Sequence, residues 1–169
     1  GGGDISKDGV SVVGTFNESI RLMSGEKAGD IFNALGTYIA SLLLAVRCPN
    51  GVICSHSVPS QHMLARFDPS VLDRIPTPED LLPRGSAYDM VWGRNHTPDL
   101  AEKLAERWNV KLFVMGHQPA EMGYNIETPT MLVLASDHSH GMVLPINTSK
   151  AYDLDSLIGL LVPLASVVV

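Results

Sequence analysis

Cysteine is scarce: two residues in 169, Cys48 and Cys54. They flank an expected turn and form no CxxC pair, so neither a disulfide framework nor a dithiol redox motif is indicated. With no leader-type segment in view, they predict a reducing, cytoplasmic setting. Basic charge is also short, with 12 Lys and Arg against 18 Asp and Glu and a formal net charge of −6. The densest basic stretch, Lys103–Arg107, is interrupted by Glu106, which leaves no stripe for a nucleic-acid backbone. No uninterrupted run approaches the roughly 20 apolar residues of a bilayer span, so no membrane partner is expected. The tail Leu157–Val169 is apolar but short and broken by Pro163, and reads as core or interface. P-loop, GxGxxG and GxSxG patterns are absent, which removes the usual nucleotide-cofactor and serine-hydrolase readings. What is present is a chain that is 45% hydrophobic and 18% charged, with a mean hydropathy of +0.13. That is the length of one ordinary domain, able to bury a core without staples. No internal repeat or linker divides it, so residues 1–169 are read as a single domain. The sequence opens Gly1-Gly2-Gly3 without Met, which suggests added residues or a start inside a longer protein.

Periodicity predicts a mixture of helix and strand. Residues 1–14 read as loop with one short strand at Gly9–Val13. The clearest helix is Lys27–Leu44, whose apolar stripe of Ala28, Ile31, Phe32, Leu35, Tyr38, Ile39 and Leu42 should be buried. Gly36 inside it is expected to mark close packing. Leu44–Arg47 and Val52–Cys54 read as strands around the hairpin turn Pro49-Asn50-Gly51. An irregular excursion fills residues 60–86, with one-turn helices near Pro69–Asp73 and Pro78–Leu82; such length is often functional. Tyr88–Trp92 fits a short strand or a piece of helix. Thr97-Pro98 starts a helix whose buried stripe is Leu100, Ala101, Leu104, Ala105 and Trp108. Val110–Met115, Thr130–Ala135 and Gly141–Ile146 read as strands, and polar clusters gather where strands end.

Three of those clusters hold candidate chemistry. His56 and His117 each follow an apolar strand and sit among small or uncharged neighbours, a placement that suits a metal or phosphate ligand, or an ordinary surface histidine. Arg94 and Asn95 precede a helix N-terminus, where a guanidinium beside free N–H groups can cradle phosphate; a plain surface arginine is the bland reading. Asp137-His138-Ser139-His140 places two imidazoles at metal-compatible spacing, or simply forms a solvated turn. Met115, Met122, Met131 and Met142 are read as core filler.

Taken in order, LAVRCPNGVICSHSVP (Leu44–Pro59), YDMVWGRNHTP (Tyr88–Pro98), KLFVMGHQP (Lys111–Pro119) and MLVLASDHSHG (Met131–Gly141) resemble the later half of calcineurin-like metallophosphoesterases. The branch related to serine/threonine phosphoprotein phosphatases fits best. The resemblance implies an α/β fold, half of a four-layer αββα sandwich with a mixed sheet flanked by helices. It implies metal ligation by His56 and His117, and substrate-phosphate contact by Arg94 with Asn95 beside it. Asp137, His138 and His140 become weaker pocket candidates. The cofactor implied is a pair of divalent ions (Mn, Fe or Zn), and the chemistry two-metal hydrolysis of a phosphorylated substrate. His56-Ser57-Val58 stands where the family carries His-Gly-Gly. The early family motifs GDxHG, GDxxDRG and GNHE are absent, so the chain reads as the carboxyl half of such an enzyme, with an incomplete metal site. It is then expected to bind metal weakly and to turn over little or no aryl phosphate by itself. An exposed sheet edge and apolar face should favour homo-oligomerisation or pairing with a missing N-terminal half. The competing readings are a non-catalytic binding or oligomerisation domain of the same fold, and a cysteine-dependent hydrolase using Cys54 with His56 or His117.

Overall fold

The computed structural model describes residues 6–7 and 10–167. Two compact units form, Gly1–Leu43 and Leu44–Val169.

In the first unit, β1 (Ser6–Lys7) pairs antiparallel with β2 (Val10–Ser11). Gly9, the first residue of the expected strand, lies outside the described residues. The helix α1 (Val12–Ser24) follows at once, where the sequence suggested loop up to Gly14. Gly14, Thr15, Asn17 and Ser19 are weak helix formers that hid it. Gly25 at φ +52 ends it, and α2 (Ala28–Ser41) follows a single 3-10 turn. The α2 stripe departs from expectation. Ala28 is buried and Ile31, Phe32 and Leu35 are half-buried, but Tyr38, Ile39 and Leu42 are exposed. A Cβ at Gly36 would meet nothing within 4 Å, so this glycine marks no close packing.

The second unit is built on one five-stranded mixed sheet. β3 (Ala45–Arg47) and β4 (Val52–Ser55) form the expected hairpin, with Gly51 at φ +86 and Cys48 N–H donating to the Val52 carbonyl at 2.8 Å. β5 (Leu112–Met115) and β7 (Met131–Leu134) add in parallel, and β6 (Tyr124–Thr128) closes the edge antiparallel to β7, giving the order β3-β4-β5-β7-β6. The parallel centre is apolar on both faces, as strands covered on both sides must be. Ile53, Phe113, Met115, Met131 and Val133 face α3 (Ser86–Trp92) and α4 (Pro98–Trp108), packing with Met90, Leu100, Leu104 and Trp108. Val52, Leu112 and Val114 face the other way, against Leu157 of α5 (Leu154–Ile158). Each such fully buried side chain stabilises by about 1.5–3 kcal/mol. Thr97 Oγ1 accepts from Leu100 N at 3.3 Å, and Pro98 takes the first helical position, as the sequence predicts.

The strand expected at Gly141–Ile146 shrinks to β8 (Met142–Val143), which pairs with β9 (Val162–Pro163) in a separate small sheet. The polar stretch from Ser136 to His140 leads the chain out of the main sheet. Of the tail, Leu157 enters the core, whereas Leu164 and Val167 stay exposed. The excursion holds two 3-10 helices, Gln61–Met63 and Pro69–Leu72, while Pro78–Leu82 forms only turns. Arg66 anchors it, its Nη2 lying 2.6 Å from Oδ1 of the wholly buried Asp89 in α3. Burial nonetheless pushes the Asp89 carboxyl above the usual range, with Arg66 pulling the other way. The edge strands leave Val46 and Ile126 about half exposed. Among the described residues no helix is long and apolar enough to cross a membrane.

Candidate functional site

Strand direction builds the site. Because β4 and β5 run parallel with Ser55 opposite Met115, both chains leave the sheet at the same end. Gly116 N–H donates to the Ser55 carbonyl at 3.3 Å and the His56 carbonyl at 3.2 Å, holding the two exits together. His56 and His117 therefore meet, with ring centroids 4.3 Å apart and tilted by 53°. His117 occupies the left-handed region at φ +70, uncommon for a residue with a side chain. Trp92 meets the His117 ring edge-on at 6.0 Å, and the Arg94 guanidinium carbon lies 6.0 Å from the centre of the Trp92 ring.

The loop after β4 and the loop after α3 are clasped along their length. Ser57 Oγ donates to the Gly93 carbonyl at 2.8 Å. Ser60 Oγ accepts from Arg94 N and donates to the Arg94 carbonyl, both at 2.7 Å. His96 Nε2 lies 3.0 Å from the Val58 carbonyl oxygen. Gly93 has to be glycine, since a Cβ there would sit 1.6 Å from the Val58 oxygen. Ser57-Val58 is thus part of the clasp. Ser57, Ser60 and His96 carry no recognisable pattern in the sequence, since their contacts bridge distant segments. Only the small neighbours of His56 hinted at close backbone approach.

The electrostatics favour neutral imidazoles beside an available cation. Burial, and then Arg94, His56 and His96, push His117 down to about 4. Burial and then Arg94 lower His56 as well. Arg94 Nη1 donates to the Gly93 carbonyl at 3.0 Å, and no carboxylate among the described residues pairs with the guanidinium. The His117 Nε2 atom is buried without a hydrogen-bond partner. Both histidines hold their protons less tightly when folded than at the ordinary 6.5, so their neutral forms support the fold above that pH. That support is lost as pH falls from 6.5 towards about 4. The urea midpoint should decline over this window, and less steeply in His117→Gln; equal slopes would count against it.

The remaining candidates separate. His117, Gln118, Glu121, Asp137 and His138 line a cavity of about 430 Å³, while His56 and His140 lie outside the lining. His138 spends both ring nitrogens locally, Nε2 on the Ala120 carbonyl at 3.0 Å and Nδ1 accepting from His140 N at 3.1 Å. Asn95 is exposed, in the left-handed region at φ +56. Cys54 is half-buried, and burial, then Cys48, push its thiol up to about 11. A thiol held that high is a poor source of thiolate near neutrality, which weighs against the cysteine-hydrolase reading. Among the described residues, no group of three or more His, Cys, Asp or Glu side chains is placed to hold a metal ion.

No family model matches the chain, and no curated protein matches it. Among solved structures, a protein serine/threonine phosphatase from Saccharomyces cerevisiae with similarity to human phosphatase PP5 matches with a TM-score of 0.52 and 17% sequence identity. The match covers 72% of this chain and 42% of the phosphatase chain. The chain thus spans less than half the length of that neighbour. At this identity the likeness is one of fold: a mixed sheet flanked by helices that matches part of a serine/threonine phosphatase.

Proposed function

We propose that this chain carries the histidine and arginine portion of a metal-dependent phosphoester hydrolase site. The observation that carries the reading is the meeting of His56 and His117 at 4.3 Å, beside an arginine that no carboxylate among the described residues neutralises. Neutral imidazoles are the form that ligates divalent metal, and a guanidinium lends charge-assisted hydrogen bonds to a phosphoryl group. Two imidazoles are nevertheless too few: metal sites generally draw three or four protein ligands. The described residues fit half of a cage, and no hydrolytic step is assigned to them alone. Manganese, iron or zinc would each accept the two nitrogens once oxygen ligands from elsewhere joined them.

The test is titration of the chain with manganese(II), together with an assay on p-nitrophenyl phosphate. Weak binding that disappears in His117→Ala is expected, with no turnover above the protein-free rate. Robust turnover abolished by the same substitution would show a complete site and overturn the half-site reading. That no third ligand joins them among the described residues also favours a second reading, a non-catalytic binding or assembly domain. Absence of any metal affinity, with self-association in light scattering, would select it.

A further inference from the structure

We infer that His96, braced by Glu127, is a positioning residue that locks the Arg94 loop onto the His56 loop so that one anion meets the guanidinium and both imidazoles. This rests on the phosphoester reading above and names what holds its parts in register. The His96 side chain is wholly buried. A carbonyl oxygen only accepts, so Nε2, 3.0 Å from the Val58 oxygen, carries the ring proton. Nδ1 is buried without a hydrogen-bond partner and lies 3.7 Å from Glu127 Oε1. The same carboxylate oxygen accepts from the His96 backbone N–H at 3.3 Å. Simple space-filling does not explain this arrangement, because an apolar residue would fill the gap with no orphaned nitrogen. What the imidazole adds is direction. Val58 follows His56 by two residues, and His96 follows Arg94 by two, so one rigid ring fixes both functional side chains at matched distances along their loops. Glu127 reaches it through an irregularity of the sheet: pairing slips between Ile126 and Thr128, and Glu127 has no opposite residue on β7.

The test compares the full chain with His96→Ala, His96→Gln and Glu127→Ala, using inorganic phosphate as the probe and amide hydrogen exchange as the second readout. In His96→Ala, phosphate affinity should fall about tenfold, and the Arg94 amide should exchange about tenfold faster. The Phe113 amide, which donates to the Thr130 carbonyl within the core, should be unchanged. Gln presents an amide N–H near the place of the ring Nε2–H, and should restore most of both losses. Should His96→Ala fail to fold, Glu127→Ala carries the test, with about a threefold loss in phosphate affinity. Phosphate affinity unaltered in these variants, or no rescue by Gln, overturns the positioning role. Failure of the unsubstituted chain to bind phosphate instead overturns the phosphoester reading and the role built on it, while the exchange rates still show whether the clasp exists.

Discussion

Gly93→Ala is expected to destabilise the second unit by about 4 kcal/mol, combining steric overpacking with lost hydrogen bonds, and to abolish phosphate binding. The added carbon would sit 1.6 Å from the Val58 carbonyl oxygen and 3.3 Å from that of Asp89, both main-chain atoms that cannot swing aside. Relief requires the two loops to separate, which breaks the Ser57 bond to Gly93, the His96 bond to Val58 and the Ser60 bonds to Arg94. The backbone angles are not the obstacle: Gly93 has φ −62 and ψ 143, which alanine adopts readily. Gly116→Ala is the matched control, because its Cβ would meet only the His56 oxygen at 4.0 Å. A urea midpoint for Gly93→Ala equal to that of the control would disprove the close approach.

Phe113→Ala should cost about 3–5 kcal/mol, the range for a buried aromatic truncated in a core that cannot collapse. Phe113 is fully buried on the central strand, 6.0 Å from the Trp108 ring and in register with Ile53 and Met131. The two substitutions should differ in character. Phe113→Ala lowers global stability while the surviving native molecules keep their phosphate affinity. Gly93→Ala removes the affinity even where the sheet persists. Denaturation curves paired with phosphate titrations at low denaturant distinguish them, and parallel losses in both variants would contradict this division.

Much of this was legible in the sequence where local chemistry and tertiary environment agree. The apolar runs at Val52, Leu112 and Met131 are strands because both faces of a parallel sheet are covered, and Asn50-Gly51 turns the hairpin because glycine tolerates φ +86. Two histidines after two apolar strands were a readable hint of one site, since neighbouring parallel strands end together. The hidden parts depend on partners remote in sequence. β6 alternates weakly and exposes Asn125 and Ile126, so nothing in Tyr124–Thr128 separates an edge strand from a loop. α1 has weak helix formers, and of the α2 stripe that promised burial only Ala28 is buried, while Tyr38, Ile39 and Leu42 are exposed. His96 stood in the sequence only as one letter of the YDMVWGRNHTP segment, because its meaning lies in Val58 and Glu127, which come from other segments.

The slipped pairing between Ile126 and Thr128 constrains chain length more than residue identity. Removing one residue from that stretch would let the ladder close evenly and turn the carboxylate away from the imidazole, even with every other amino acid retained. A one-residue deletion within Ile126–Thr128 should therefore leave the His96 amide without its carboxylate acceptor, which faster exchange of that amide would report.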